Sequence, residues 1–394
     1  MSYSAPFAGL KVIDLCQGVA GPYCAMMLAQ HGANVIKVEP RGEGDWSRTL
    51  GTLYDSHHSS MSAVCNVGKR SVALDIQSDA GRAVLWKLIE GADIFMEAFR
   101  PGVITRLGFG YEAVREREKR LLYLSVSGFG QKGPLSERPS MDPVLQAYTG
   151  MMHLNRMDDD TPQRIPFIAA DMATALYSFQ ALSAALYARR DEEHGAYFDI
   201  NLMQSAAAIQ AVGMVAMHLD PPPRPPGNLT TGVHPTVDGW MQIATALHRD
   251  WVKLCEILGV PEIAELPQFK TPKLRGENVQ ELYPIIRPRI AKYTTEQLSK
   301  ALVEARIMHH SVNSYEQFMA EPQVQAMGTL QWLEQPGIPE LVPHPVVPGM
   351  PQRVSGEPKA VSPTPGQHTI EVLMECGYTV SQIEDMIAKG VVGN

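Results

Sequence analysis

Asp171 is the residue whose setting most invites chemistry. It follows the short apolar stretch Pro166-Phe167-Ile168-Ala169-Ala170 and precedes a helical pattern, in which Leu176, Phe179, Leu182 and Leu186 recur at spacings of three and four up to Arg190. This spacing predicts an extended segment, then Asp171 as helix N-cap, then a helix over 172–190. A carboxylate at that point faces unpaired N–H groups and the positive end of the helix dipole, so the ionised form is expected to be favoured. Read alone, Asp171 is either a plain cap or a reactive carboxylate. Other reactive groups are poorly arranged. His57-His58 and His309-His310 are sequence neighbours that point in different directions, and neither HExxH nor CxxC occurs, so no metal is expected. Ser125-Val126-Ser127-Gly128 does not make the GxSxG of a nucleophilic serine.

Anion-binding signals are spread out. Gly18-Val19-Ala20-Gly21-Pro22 fails the GxGxxG pattern and no phosphate-cradling GxxxxGK[ST] is present. Arg41-Gly42-Glu43-Gly44-Asp45 reads as a turn. Gly128-Phe129-Gly130-Gln131-Lys132-Gly133-Pro134 follows a strand, where α/β folds place ligand contacts. Arg41, Lys69, Arg70, Arg100 and Arg106 sit at strand ends or in loops, as a ligand with several phosphates requires. Most of the 34 Lys and Arg residues are nonetheless ordinary solvated surface.

The elements that must position these groups alternate. Leu10–Leu15 and Asn34–Glu39 read as strands around a helix opened by Pro22 and closed before Gly32. Further strands are expected at Ser71–Ile76, Asp93–Met96 and Leu121–Val126, with helices near 79–90 and 111–119. This is a doubly wound, Rossmann-like α/β domain on a parallel sheet. A strand from Ala196 to Leu202 leads into one long helix ending near His218. The run Pro221–Pro226 is a stiff connector, so a large domain over 1–220 is expected. A smaller α+β unit follows over 227–330, with a strand at Trp240–Ala244 and helices near 248–258, 277–291 and 295–305. Residues 331–394 begin Pro-rich and end in two short helices.

With 394 residues the chain has room for more than one core. A formal net charge of −8 argues against nucleic acid as the main partner. The five cysteines are odd in number and scattered, and no run reaches the roughly twenty apolar residues that span a bilayer, so a soluble, reduced, cytoplasmic protein without a membrane partner is expected.

Taken in order, the motifs form a set: Gly21-Pro22, Val35–Asp45, Lys69-Arg70-Ser71, Phe99-Arg100-Pro101-Gly102, Leu107-Gly108, Ser127–Pro134, Asp142 with Gln146, Asp171, Asp238-Gly239, Val312-Asn313 and Gly366 with His368-Thr369. The series resembles the family III CoA-transferases, the group containing formyl-CoA transferase and carnitine CoA-transferase, over nearly the whole chain. The resemblance implies a large α/β domain built from both chain ends, a smaller inserted domain and an interlocked homodimer. It implies coenzyme A and its acyl thioesters as substrates, with no tightly bound cofactor. Asp171 matches the family's catalytic carboxylate, which attacks the acyl-CoA thioester. Gln17 matches a position at the acyl end, and Gly128 and Gly130 would let backbone approach the reacting carbonyl. Val19, Arg41, Lys69, Arg70, Ala98, Phe99, Arg106 and Phe129 complete the CoA-binding set, with Arg41, Lys69 and Arg106 toward its phosphates and adenine. Ala98 stands where the family pattern often has Asn, and 227–232 stands in for a glycine-rich loop.

Two rival readings are a related α-methylacyl-CoA racemase and a non-catalytic CoA-binding protein. Racemases of this fold place a His where this chain has Met141, and a thioether cannot move a proton. An intact Asp171 argues against a mere binder. Arg48, His57, His58 and His234 are candidate anchors for a second carboxylate on a dicarboxylic acceptor.

Overall fold

The computed structural model describes residues 5–54, 57–156, 160–219 and 231–393. Contacts divide the chain into two compact units, Met1–Val212 with Met327–Asn394, and Gly213–Ala326. The expected Pro-rich connector at 221–226, and the loop 227–232 up to Thr230, lie outside the described residues.

In the first unit the chain runs β1 (Lys11–Asp14), α1 (Ala20–Gln30), β2 (Asn34–Glu39), α2 (Ser60–Cys65), β3 (Arg70–Leu74), α3 (Asp79–Ile89), β4 (Ile94–Glu97), α4 (Val103–Arg106), α5 (Tyr111–Arg117) and β5 (Leu122–Ser127). It continues through α6 (Asp142–Tyr148), α7 (Met151–Leu154), α8 (Ala169–Ala188), β6 (Tyr197–Asn201) and α9 (Leu202–Ile209), and α10 (Ala211–Leu219) begins in this unit and ends in the second. The strands are apolar on both faces, as strands covered on both sides must be. Val12, Val35, Ile94, Met96, Leu122 and Leu124 pack to one side with Ala25, Leu28, Ala170 and Leu182 of α1 and α8. Ile13, Ile36, Val72, Phe95 and Tyr123 pack to the other with Val84, Leu85 and Leu88 of α3.

The second unit has a three-stranded antiparallel sheet, β7 (Thr231–Pro235), β8 (Trp240–Ala244) and β9 (Met308–Ser311). Its helices are α11 (His248–Ile257), α12 (Pro272–Glu277), α13 (Val279–Ile290), α14 (Thr295–Ala305), α15 (Tyr315–Ala320) and α16 (Pro322–Ala326). Met241, Ile243, Trp251, Leu254, Ile286 and Leu302 form its own core.

The chain then forms a hairpin, β10 (Leu330–Gln335) and β11 (Ile338–Pro345), where the Pro-rich sequence gave no strand signal. A two-stranded sheet consists of edges, which tolerate Pro343 and Pro345. Helices α17 (Thr369–Glu375) and α18 (Val380–Ala388) lead to β12 (Val392–Gly393), which pairs antiparallel with β3. The large sheet therefore runs β12-β3-β2-β1-β4-β5-β6, parallel except at β12. The strand order reverses between β1 and β4, and ligands of such sheets bind at the carboxyl ends of the strands at that point.

One long helix to His218 is not what forms. The helix breaks after Ile209, and α9 and α10 meet at 64°. Gln210 explains the break: its Nε2 donates to Ala206 O at 2.8 Å, the carbonyl its own backbone N–H would otherwise take, while that N–H turns to Ala207 O. Side-chain insertion into the helical ladder is a recognised cause of kinks. Among the described residues no single helix is long and apolar enough to cross a membrane.

Candidate active site

The switch point holds a cavity of about 790 Å³, lined entirely by residues of the first unit. Leu15, Gln17 and Val19 reach it from the end of β1, Ala98, Phe99 and Arg100 from β4, and Val126, Ser127 and Gly128 from β5. Arg138, Ser140 and Met141 line it from the loop before α6, Trp46 closes another side, and Asp171 faces it from α8.

Asp171 is not the cap of its helix. Helix α8 begins at Ala169 with Ile168 at the N-cap position, so Asp171 lies inside the first turn. The capping carboxylate comes from elsewhere in the chain. Buried Asp142, at the start of α6, accepts from Ala170 N at 2.7 Å and Asp171 N at 3.2 Å through Oδ2. Its Oδ1 accepts from Gln146 Nε2 at 2.6 Å, one helical turn on. Gln146 in turn accepts from Ile165 N at 3.0 Å and donates to Phe167 O at 3.0 Å, which fixes the extended segment before α8. Asp142 thus takes the N–H groups and dipole that favour ionisation, and among the described residues nothing donates to the Asp171 carboxyl. Burial, and then the Asp142 charge beside it, push Asp171 up to about 7, the reverse of the expected stabilised anion.

Beneath the cavity lies a layer of buried ion pairs. Lys37 pairs with Asp45 at 2.8 Å and Lys69 with Asp14 at 2.8 Å. Arg48 makes a two-pronged contact with Glu39, with Nε to Oε2 and Nη2 to Oε1 both at 2.8 Å. These groups hold the loop after β1. Asp14 accepts from Cys16 N, Lys37 donates to Cys16 O, and Asp45 accepts from Gly18 N. Gln17 and Val19 are therefore presented to the cavity from a backbone fixed on both sides. Gly18 has φ +83, and a Cβ there would collide with the Trp46 ring. A Cβ on Gly21 would collide with Cys16 Sγ, so α1 packs directly on the strand end.

The expected site residues divide accordingly. Asp171, Gln17, Val19, Ala98, Phe99 and Gly128 meet at the cavity. A Cβ on Gly128 would overlap Ser140 Oγ, so this glycine lets two cavity-lining loops touch. Gly130, Phe129, Arg41, Lys69, Arg70 and Arg106 do not line it. Gly130 serves a turn, at φ +93 with its N–H on Ser127 Oγ, and Phe129 is buried edge-on against Tyr148. Arg41 and Arg106 are exposed outside it. Lys69 is a buried partner of Asp14 and Asn66, and Arg70 clasps Glu371 and Glu375 of α17. Nor do the proposed dicarboxylate anchors line the cavity. Arg48 is sequestered by Glu39, His58 is buried against Ser362 O, His57 is exposed outside the cavity, and His234 is buried in the second unit against Tyr283. The cations that do line the cavity are Arg100 and Arg138, both exposed and without a carboxylate partner among the described residues. Arg138 and Trp46 were missed, because nothing in their local sequence distinguishes them from surface.

The site can therefore present one raised-pKa carboxyl and two guanidinium groups to an anionic ligand. The chain matches the model of CoA-transferase family III over residues 7–369. It is 30% identical to the succinyl-CoA:glutarate CoA-transferase of Homo sapiens, over 100% of this chain and 91% of that protein. It is 31% identical to the succinate–glutarate CoA-transferase of Agrobacterium fabrum, over 94% of this chain and 95% of that protein. The crystal structure of a CaiB/BaiF family protein from Brucella suis superposes with a TM-score of 0.82 at 28% identity, covering 95% of this chain and 100% of the other. The chain belongs to CoA-transferase family III and is an enzyme that moves coenzyme A from an acyl-CoA thioester to a free carboxylic acid.

Proposed function

We propose that Asp171 is the nucleophile of this transfer and that both donor and acceptor are dicarboxylic, with succinyl-CoA and glutarate as first candidates. An Asp171 oxygen attacks the thioester carbonyl, a C–O bond replaces the C–S bond, and CoA leaves as thiolate. The thiolate attacks the aspartyl carbonyl of the mixed anhydride, giving aspartyl-CoA thioester and releasing the donor acid. The acceptor carboxylate displaces the thiolate to form a second anhydride. The thiolate then attacks the acceptor carbonyl, which makes the new CoA ester and restores Asp171. The observation that carries this reading is the Asp171 carboxyl at the cavity, raised to about 7 by burial and by Asp142.

Gln17 and Gly128 border the reacting carbonyl in this reading, while Val19, Ala98 and Phe99 contact CoA. Arg100 and Arg138 supply the charge for its phosphates and for the second carboxylate of the acceptor. Arg41 and Arg106, exposed outside the cavity, meet the far end of CoA. One relative is named for succinyl-CoA and glutarate and the other for succinate and glutarate, which supports the substrate class. Exposed apolar side chains at Ile209, Val212 and Val215 support a homodimer, and cysteines that are all free support a cytoplasmic setting. Met141 at the cavity offers no proton-transfer group, which disfavours racemisation.

The test is incubation with succinyl-CoA and glutarate in D₂O, followed by mass spectrometry of esters and protein. Glutaryl-CoA, and a CoA adduct on the peptide carrying Asp171, are expected. Asp171→Asn should abolish both while still binding CoA. Turnover retained by that variant would refute the nucleophile, and α-deuteration of an unexchanged ester would mean a racemase.

A further inference from the structure

The two loops that line the cavity from β4 and β5 are tied to a row of acids on the opposite face of the sheet. Glu97, Ser125 and Asp199 are direct partners across β4, β5 and β6. Side chains alternate along a strand, so these three point the same way as Phe95, Tyr123 and Tyr197, two residues earlier in each strand. That is the face packed with α3, not the face of α1 and α8. Glu97 is buried, and its Oε2 accepts from Phe99 N at 2.9 Å. Asp199 Oδ2 accepts from Gln131 N at 2.9 Å. The hydroxyl of buried Ser125, between them in the row, is hydrogen bonded to Glu97. Each acid therefore holds one backbone N–H of one loop, Phe99–Arg100 on one side and 127–133 on the other. Neither acid lines the cavity.

We propose that Glu97 and Asp199 are positioning residues that set the spacing of these two loops, and so the affinity for CoA. The inference rests on the reading that the cavity binds CoA. Two ionised carboxylates that face each other across the intervening strand β5, with one neutral hydroxyl between them, repel. The buried Asp199 Oδ1 has no donor among the described residues, so its charge is met by the single N–H of Gln131. The groups facing Glu97 are the Cys16 thiol, the Tyr123 and Tyr197 phenols and Asp199, and none brings a compensating positive charge. Burial is the main cause that raises Glu97 to about 7, and Asp199 adds to it. Protonated Glu97 keeps a carbonyl oxygen for Phe99 N and gains an O–H for Ser125. Ionised Glu97 keeps both hydrogen bonds, which favour the anion, so it acts on the two loops through its repulsion from Asp199, which pushes them apart.

The test is calorimetric titration of the full-length protein with free CoA, a readout independent of turnover. At pH 7, Glu97→Ala should weaken CoA binding by about tenfold, whereas Glu97→Gln, which mimics the protonated acid, should stay within about twofold of the parent. Between pH 6 and pH 9, the Asp171→Asn protein should lose affinity as Glu97 ionises, and adding Glu97→Gln should flatten that loss. The Asp171→Asn background removes the cavity carboxyl that titrates in the same range. Equal affinity for Glu97→Ala and parent, or equal weakening by Ala and Gln, overturns the proposal. Should Glu97→Ala fail to fold, the pH series with Glu97→Gln decides alone, and an unflattened loss overturns it. A parent protein that binds no CoA at any pH would instead overturn the reading of the cavity.

Discussion

Replacing Asp171 with Asn should remove activity and, above neutral pH, make the protein more stable. In the folded chain, burial and then Asp142 push this carboxyl up to about 7. In the unfolded chain it titrates near its ordinary value of about 3.9. Between those limits the unfolded state has released the proton and the folded state has kept it. The unfolded state therefore binds fewer protons, and stability falls as pH rises from about 4 to about 7. A shift of roughly three units at about 1.4 kcal/mol each sets a ceiling of about 4 kcal/mol. Asp171 retains some contact with solvent in the cavity, and screening brings the expected effect to about 2 kcal/mol. Asn carries no charge, so this penalty disappears in the variant. For a chain of this size the gain corresponds to roughly 2–3 °C in Tm.

The assay is thermal unfolding of wild type and Asp171→Asn at pH 4, 6 and 8, followed by circular dichroism. At pH 4 the wild-type carboxyl is protonated and the two proteins should melt together. At pH 8 the variant should melt higher. Glu97 titrates in the same range but is present in both proteins, so its contribution cancels in the difference. A Tm difference that does not change with pH, or a variant less stable at pH 8, would refute the account of Asp171 as a carboxyl deprived of its helix terminus.

Asp142→Asn removes the neighbouring charge while leaving an oxygen to cap α8, so the acidic midpoint of the pH–rate profile should fall by about one unit; an unmoved midpoint would mean Asp142 acts only as a cap. Lys69→Met removes the ion-pair partner of buried Asp14, which should cost about 3–5 kcal/mol in urea unfolding and be partly relieved by Asp14→Asn. A large loss of CoA affinity with unchanged stability would instead return Lys69 to the binding set. Gly128→Ala forces a methyl group onto Ser140 and should destabilise by about 1–3 kcal/mol and raise KM for acyl-CoA. Ser140→Gly in the same chain should restore both, and a failure to restore either would place the strain elsewhere.

What could be read from the chain depended on how local the cause was. β2, β8 and α14 fall where the apolar pattern and turn residues place them, because period and capping are properties of neighbouring residues. The α/β class with a parallel sheet followed from the βα alternation, whereas the order of the strands comes only from the fold. Asp171 was identifiable as a helix-terminal carboxylate, yet its titration was misjudged, because the group that takes its helix terminus is 29 positions away in the chain. The same distance problem governs Lys69, Arg48 and Arg70. Their residue types suit phosphates, and only the folded sheet reveals Asp14, Glu39 and α17 beside them. The hairpin at Leu330–Pro345 escaped because proline masks a strand that has no interior, and β12 because two residues carry no period.

The placement of two aspartates at one helix start has a chemical consequence for the proposed reaction. An ordinary carboxylate, near 3.9, is a far better leaving group than a thiolate, near 8.5. The gap of roughly 4.6 units amounts to about 6 kcal/mol in basicity, so a tetrahedral adduct on an ordinary Asp would mostly expel the carboxylate and revert. Had Asp171 been the cap of α8, its anion would have been stabilised further and the gap widened. With Asp142 holding the N–H groups of Ala170 and Asp171, the reacting carboxyl sits at about 7 and the gap shrinks to roughly 1.5 units, about 2 kcal/mol. The cap and the nucleophile have opposite electrostatic needs, and the fold meets them with separate residues.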